Sequence, residues 1–246
     1  MNLTLRNQRR NNAIYTDGKH SYKIFNEGYS KELVFLEAHI NSILEELGVP
    51  ATSIQSVSKI EGKWAFTAAI TNGKNIFELL NEDPDNTDKY LDILVDVQTH
   101  IHSFSCVDLP IQKEKLSRYI DISGLDSELI FDLKDMLASS PKHKKLCHGN
   151  FTPHNVVIRD DGSYEVVDWN HAVQGNASAD VARTYLWFKG RMPDLAETYL
   201  EKFCAKTNTS SNYVHTWVPI VAAARLAKNI PEEQEMLRSV ISIMEY

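Results

Sequence analysis

Residues 147–168, CHGNFTPHNVVIRDDGSYEVVD, constrain this chain more than any other stretch. Two runs rich in β-branched and aromatic residues, Val156-Val157-Ile158 and Tyr164-Glu165-Val166-Val167, flank Arg159-Asp160-Asp161-Gly162-Ser163. Asp-Gly between such runs predicts a tight β-hairpin, because glycine supplies the positive φ that the turn needs. Antiparallel pairing then sets Asn155, at the start of the first strand, near Asp168, at the end of the second. An amide oxygen and a carboxylate would face one small volume, beside a loop carrying His148 and Asn150. Two hard oxygen donors placed in this way suit Mg²⁺, which keeps some of its waters and bridges phosphate oxygens.

The run His148-Gly149-Asn150-Phe151-Thr152-Pro153-His154-Asn155, then a hairpin, then Asp168-Trp169, follows the order of catalytic loop and metal-binding Asp in protein kinases. It resembles the aminoglycoside phosphotransferase and choline kinase superfamily, which writes HGDxxxxN … (I/V)D(W/F). Residues 170–184, NHAVQGNASADVART, are similar to that family's segment after the metal Asp. The resemblance implies an α+β, protein-kinase-like bilobal fold, with a small antiparallel-sheet N-lobe and a mostly helical C-lobe. It implies Mg²⁺ held by Asn155 and Asp168 in the cleft between lobes, ATP or GTP as phosphoryl donor, and a small-molecule hydroxyl as acceptor. Asp180 would steady the catalytic loop, with Arg183 as its partner, and His148 would brace that loop.

One position departs from the family. Asn150 stands where the family carries its catalytic Asp. A carboxylate can accept the acceptor hydroxyl's proton, whereas a neutral amide can only orient that hydroxyl. General-base help contributes roughly 10²–10⁴-fold, while phosphoryl transfer otherwise rests on positioning and charge stabilisation. The replacement therefore predicts a slow or specialised enzyme as readily as an inactive one. His154, beside Asn155, is a second candidate proton acceptor.

Composition bounds the alternatives. The 246 residues suffice for one large domain or two modest lobes, and 43% hydrophobic with 24% charged residues is ordinary for a globular protein. A net charge of −7 without a basic run argues against nucleic acid as partner and mildly favours a cationic acceptor. Three scattered cysteines, Cys106, Cys147 and Cys204, read as reduced core residues of a cytoplasmic protein. The N-terminal residues lack a signal peptide's apolar region, and no window approaches a membrane span. Oligomeric state is not legible.

In the N-terminal part, Ala13-Ile14-Tyr15 and Ser21-Tyr22-Lys23-Ile24-Phe25 flank a turn at residues 16–19, predicting a hairpin. A helix is expected over residues 30–47, with Ser30 as N-cap, Gly48 past its end, and an apolar stripe of Leu33, Leu36, Ile40, Ile43, Leu44 and Leu47. The resemblance pairs Lys23 with Glu37 of this helix to hold the α- and β-phosphates. Residues 5–13, where a kinase's glycine-rich loop belongs, contain no glycine. Arg9 and Arg10 could reach phosphate there, and a solvated cationic loop is the simpler expectation. Strands over residues 54–60 and 64–70 complete a small sheet, and Asn72-Gly73 breaks the pattern. The resulting division is an N-lobe at 1–70, a hinge at 71–74 and a helical C-lobe at 75–246. Adenine would be read by the backbone of residues 68–71, with Ala69 and Thr71 as the candidates.

Beyond residue 84 helices are expected over residues 84–104, 127–137, 179–188, 193–206, 213–228 and 231–244. The function so implied is a kinase-like phosphotransferase acting on an amino-sugar, choline or a similar hydroxyl acceptor. Its competitor is a catalytically impaired pseudokinase that binds nucleotide as a sensor or interaction module. Asn150 and the glycine-free loop are the features behind that competitor.

Overall fold

The computed structural model describes residues 3–242. The chain opens with β1 (Thr4–Gln8), β2 (Asn12–Thr16), β3 (His20–Phe25), α1 (Lys31–Glu46), β4 (Ile54–Ile60), β5 (Lys63–Ala69), β6 (Lys74–Asn75) and α2 (Ile76–Glu82). There follow α3 (Thr87–Ile101), α4 (Gln112–Asp121), α5 (Ser127–Ser139), β7 (Lys145–Cys147), β8 (Val156–Ile158), β9 (Tyr164–Val166) and β10 (Val173–Gly175). The last elements are α6 (Ala177–Arg191), α7 (Ala196–Thr207), α8 (Ser211–Leu226) and α9 (Pro231–Ser242). The final two residues of the helix expected over 231–244 lie outside the described residues.

Contacts divide the chain into two compact units. The first takes the residues up to Glu82 together with Pro153–Asn170; the second takes Asp83–Thr152 and the residues from His171 onward. The family hairpin thus packs with the first unit. Its strand β8 pairs with β6, and Val166 N–H donates to the Pro50 carbonyl at 2.8 Å. Gly73 permits the approach: it adopts φ +135°, and a Cβ there would stand 2.1 Å from the Ile158 carbonyl oxygen.

In the first unit a five-stranded antiparallel sheet runs β1-β2-β3-β5-β4. Strand β3 is its middle strand, so Lys23 lies between Ile14 of β2 and Phe66 of β5. Helix α1 starts where Ser30 accepts from Leu33 N–H and covers the sheet through Val34, which packs with Phe25 and Phe66. Burying side chains of this size contributes about 1.5–3 kcal/mol each.

The buried face of α1 differs from the expected stripe. Leu33 and Leu36 are 46% and 37% exposed, while Val34, Glu37, Ile40, Asn41, Ile43 and Leu44 are buried. Three-residue spacing places Glu37 under Val34 on the inward face. Counting only hydrocarbon positions misplaces that face by about one residue, because two of its members are polar.

The second unit is helical apart from the short β7–β10 pair. Helix α6 is buried along most of its length and packs against α7, α8 and α9. Helix α8 packs against it and carries a buried run of mostly small residues, Val221, Ala222, Ala223 and Ala224, which suits close packing against its neighbours. Among the described residues no helix is long and apolar enough to cross a membrane.

Candidate active site

The sheet and the hairpin of the first unit bring Lys23, Glu37 and Asp168 together. Lys23 Nζ lies 2.5 Å from Glu37 Oε1 and 3.2 Å from Asp168 Oδ1, although 145 residues separate Lys23 from Asp168. Burial works against the Lys23 charge, but the Glu37 and Asp168 carboxylates overcome it, and the lysine pKa is raised. Burial likewise pushes the Glu37 carboxyl up, and the Lys23 charge offsets only part of this. The pairing expected of Lys23 with Glu37 is therefore present, with Asp168 as its third member.

Arg9 is a fourth member that sequence reasoning placed in solvent. Its Nη1 is 2.8 Å from Asp168 Oδ2, so both oxygens of that carboxylate face a cation. Asp168 has φ +69°, a left-handed conformation that acidic and amide side chains tolerate better than most. Such backbone is held only where its surroundings over-determine it.

Asn155 is buried, and its carbonyl accepts from Val167 N–H at 2.9 Å. The hairpin thereby sets Asn155 alongside the residue before Asp168, as the Asp-Gly turn implies. Asn155 and Asp168 supply amide and carboxylate oxygens, the hard donors that Mg²⁺ requires. Glu37 Oε2 is buried and has no hydrogen-bond partner among the described residues. An unsatisfied buried acceptor costs about 1–3 kcal/mol, so water or a cation beside it is favourable. The residues fit the metal.

Arg9, Lys23, Glu37 and Asp168 line a cavity of about 320 Å³ within the first unit, and His154 and Val157, on either side of Asn155 and Val156, line it too. Its apolar walls include Ile14, Phe66, Ala68 and Val157, and its edge includes Ala69 and Thr71. The Thr71 hydroxyl is engaged: it donates to Glu165 Oε1 at 2.7 Å, leaving the backbone for any ligand. Glu165 is buried and also takes Thr52 and Arg159, an anchor not singled out from the sequence. His154 lines the same cavity, its ring 4.2 Å from that of Phe77.

Asn150 lies in the second unit, in a loop fixed from below by Asp180. That carboxylate, 1% exposed, accepts from His148 N–H at 3.1 Å and from Gly149 N–H at 2.7 Å, with His102 Nε2 at 3.2 Å. Burial would raise the Asp180 pKa, but His102, His148 and the Gly149 N–H hold it below the usual carboxylate range. Gly149 is required here, since it has φ +74° and a Cβ would meet the His171 carbonyl oxygen at 2.2 Å. The support expected of Asp180 is thus observed. Arg183 differs: its Nε donates to Asn150 Oδ1 at 3.1 Å, and it forms no ion pair with Asp180 among the described residues. His102, Cys147 and Asp180 also bring ligand atoms within 4.8 Å of one another, but burial pushes the Cys147 thiol well up, keeping it protonated.

A small sheet with a paired lysine on its middle strand, continued by a largely helical unit, is the build of a kinase-like phosphotransferase. This chain belongs to the phosphotransferase enzyme family, whose model matches residues 12–215. Among solved structures it is similar to a thermostable mutant of the aminoglycoside phosphotransferase APH(4)-Ia, at 13% identity and TM-score 0.73, over 99% of this chain and 93% of that one. A ternary complex of that enzyme with ADP and hygromycin B aligns at 12% identity and TM-score 0.71, over 98% and 92%. The choline kinase LicA from Streptococcus pneumoniae aligns at 14% identity and TM-score 0.69, over 100% and 94%. At these identities the likeness is one of fold. No curated sequence matches this chain significantly.

Proposed function

We propose that this chain transfers the γ-phosphoryl group of ATP or GTP to a hydroxyl of a small molecule. The observation that carries the proposal is the meeting of Lys23, Glu37 and Asp168 at one cavity, from β3, α1 and the residue that follows the distant hairpin. Lys23, oriented by Glu37, would grip the α- and β-phosphates, and Arg9 would leave Asp168 for the phosphates when nucleotide arrives. Mg²⁺ would be held by Asn155 and Asp168, and when bound it supplies neutralising charge to the phosphates. The purine would lie between the apolar walls and take hydrogen bonds from the backbone at Ala69 and Thr71. The neighbours with ADP and hygromycin B and the choline kinase support a nucleotide donor and a small hydroxyl acceptor.

On this reading residues 1–70 serve the nucleotide, 71–74 act as hinge, and 75–246 carry the acceptor side. Asn150 orients the acceptor hydroxyl, and the proton leaves to water or to His154. Three cysteines without a disulfide among the described residues support a cytoplasmic setting. Mg-ATP titration, together with phosphate transfer to a panel of hydroxyl compounds, tests the proposal. Nucleotide binding with turnover of at least one acceptor is the expected result; absence of nucleotide binding overturns it. Asn150 favours a second reading, a nucleotide-binding module without turnover, which predicts binding alone and no gain from Asn150→Asp.

A further inference from the structure

The second unit holds a cavity walled by α4, α6, α8 and the loop of Gly149 and Asn150. Four cationic side chains line it: Lys115, Arg183, Arg225 and Lys228. The carboxylate in its lining, Asp180, is spent on the His148 and Gly149 N–H groups. Arg225 has a counter-ion in Glu233, its Nε 2.6 Å from Oε2, and Lys228 donates to the Tyr119 hydroxyl at 2.9 Å. Lys115 and Arg183 are placed otherwise. Lys115 donates to the His171 carbonyl at 2.9 Å, and Arg183, 7% exposed, faces the Asn150 amide. Neither has a carboxylate within ion-pair distance among the described residues.

Charges held in such a place strain against their surroundings. Burial, then the neighbouring Lys228 and Arg118, lower the Lys115 pKa to about 8. Burial, then Arg225, lower that of Arg183 to about 9, and the more distant Glu233 and Asp180 carboxylates offset only part of this. Buried or half-buried cations with no carboxylate at ion-pair distance are relieved by a bound anion. Asn150 matters here in a second way. A carboxylate at this position would accept the same bond from Arg183 and cancel its charge; the amide keeps the bond and leaves the charge available. The chain's net −7 does not decide the matter, because exposed charges are screened beyond roughly 8 Å at physiological salt.

We propose that this cavity receives an oxyanion, a carboxylate or phosphate group carried by the acceptor, with Lys115 and Arg183 as its ligands. The acceptor is then an anionic hydroxyl compound, a hydroxy acid or a phosphorylated polyol, and not a cationic amino-sugar or amino-alcohol. Its identification as an acceptor rests on the phosphotransferase reading above, whereas anion binding itself does not.

The test is calorimetric titration of the full chain with inorganic phosphate, glycerate, glycerol 3-phosphate, glycerol and choline, with Mg-ATP consumption measured for each. Phosphate and at least one anionic compound should bind at least about tenfold more tightly than glycerol or choline, the span of one or two charge-assisted hydrogen bonds. Glycerate against glycerol 3-phosphate distinguishes the carboxylate from the phosphate source. Lys115→Gln and Asn150→Asp should each weaken anion binding about tenfold or more, and Lys115→Arg should retain it. Asn150→Asp removes no volume, so its effect is readable even where Lys115→Gln fails to fold. Anion binding unchanged in both variants, or tighter binding of glycerol or choline, overturns the proposal. Turnover of cationic acceptors alone would sink it and leave the phosphotransferase reading standing. Variant-sensitive anion binding without any ATP consumption would support it and sink that reading.

Discussion

Arg183 donates its Nε–H to Asn150 Oδ1 at 3.1 Å, the geometry of an ion pair with the charge removed from one side. Asn150→Asp restores that charge where Arg183 is buried. Hydrogen bonds to charged groups contribute about 1.5–3 kcal/mol, against about 0.5–1.5 for neutral ones. The variant should therefore unfold at higher urea with an unchanged slope, by about 1 kcal/mol. It should also raise kcat, up to roughly 10²-fold, as a general base is restored. A lower urea midpoint or an unchanged kcat would count against the role given to Asn150.

Lys23 is held between two carboxylates, with side chains only 13% exposed for Lys23 and 6% for Glu37. Removing one partner of a buried pair costs about 3–5 kcal/mol, because the other is left uncompensated. Lys23→Met should lose stability on that scale and lose nucleotide affinity with it. Adding Glu37→Gln to Lys23→Met should recover part of the stability and none of the affinity. Urea unfolding and nucleotide titration of the double-mutant cycle read the two effects separately.

Gly149 and Gly162 both have positive φ, +74° and +82°, but only Gly149 is crowded. Gly162→Ala should cost about 1–2 kcal/mol from the left-handed backbone alone. Gly149→Ala adds a clash with the His171 carbonyl oxygen and should cost several kcal/mol more, of the order of a large core substitution. Thermal melts followed by circular dichroism compare the two; equal losses would refute the crowding.

Lys115 has its pKa lowered from 10.5 to about 8. Between those values the unfolded chain binds the proton and the folded chain releases it, so stability from this group rises with pH. Below about 8 both states bind the proton, and the folded chain carries the charged lysine at a constant cost. The stability of the wild type relative to Lys115→Met should therefore increase on going from pH 7.5 toward pH 10, roughly the range between the two values. A difference that is flat, or that falls, contradicts the burial of that charge.

The hairpin was legible because Asp-Gly and alternating β-branched residues are a local code, and Asn155 and Asp168 follow from its register. Lys23 and Glu37 needed the family resemblance, since neither strand lysine nor helix glutamate carries a signal of its own. The inward face of α1 was misread because Glu37 and Asn41 lie on it, and burial of polar groups depends on partners remote in sequence. Arg9 was named as a possible phosphate contact, but its pairing with Asp168 was unreadable for the same reason: that partner lies at the other end of the first unit's chain path. Helix α4 buries only Gln112 and Ile120 and leaves a mostly polar sequence with no apolar period to detect. The cationic cavity is assembled from three helices and a loop, so no single window shows it.

The most direct test of the account is calorimetric titration of Mg-ATP into the wild type, Lys23→Met and Asp168→Asn. The account predicts binding to the wild type that requires Mg²⁺ and weakens at least about tenfold in each variant, the loss expected for a charge-assisted contact. Equal binding in all three proteins, or none in the wild type, would contradict it.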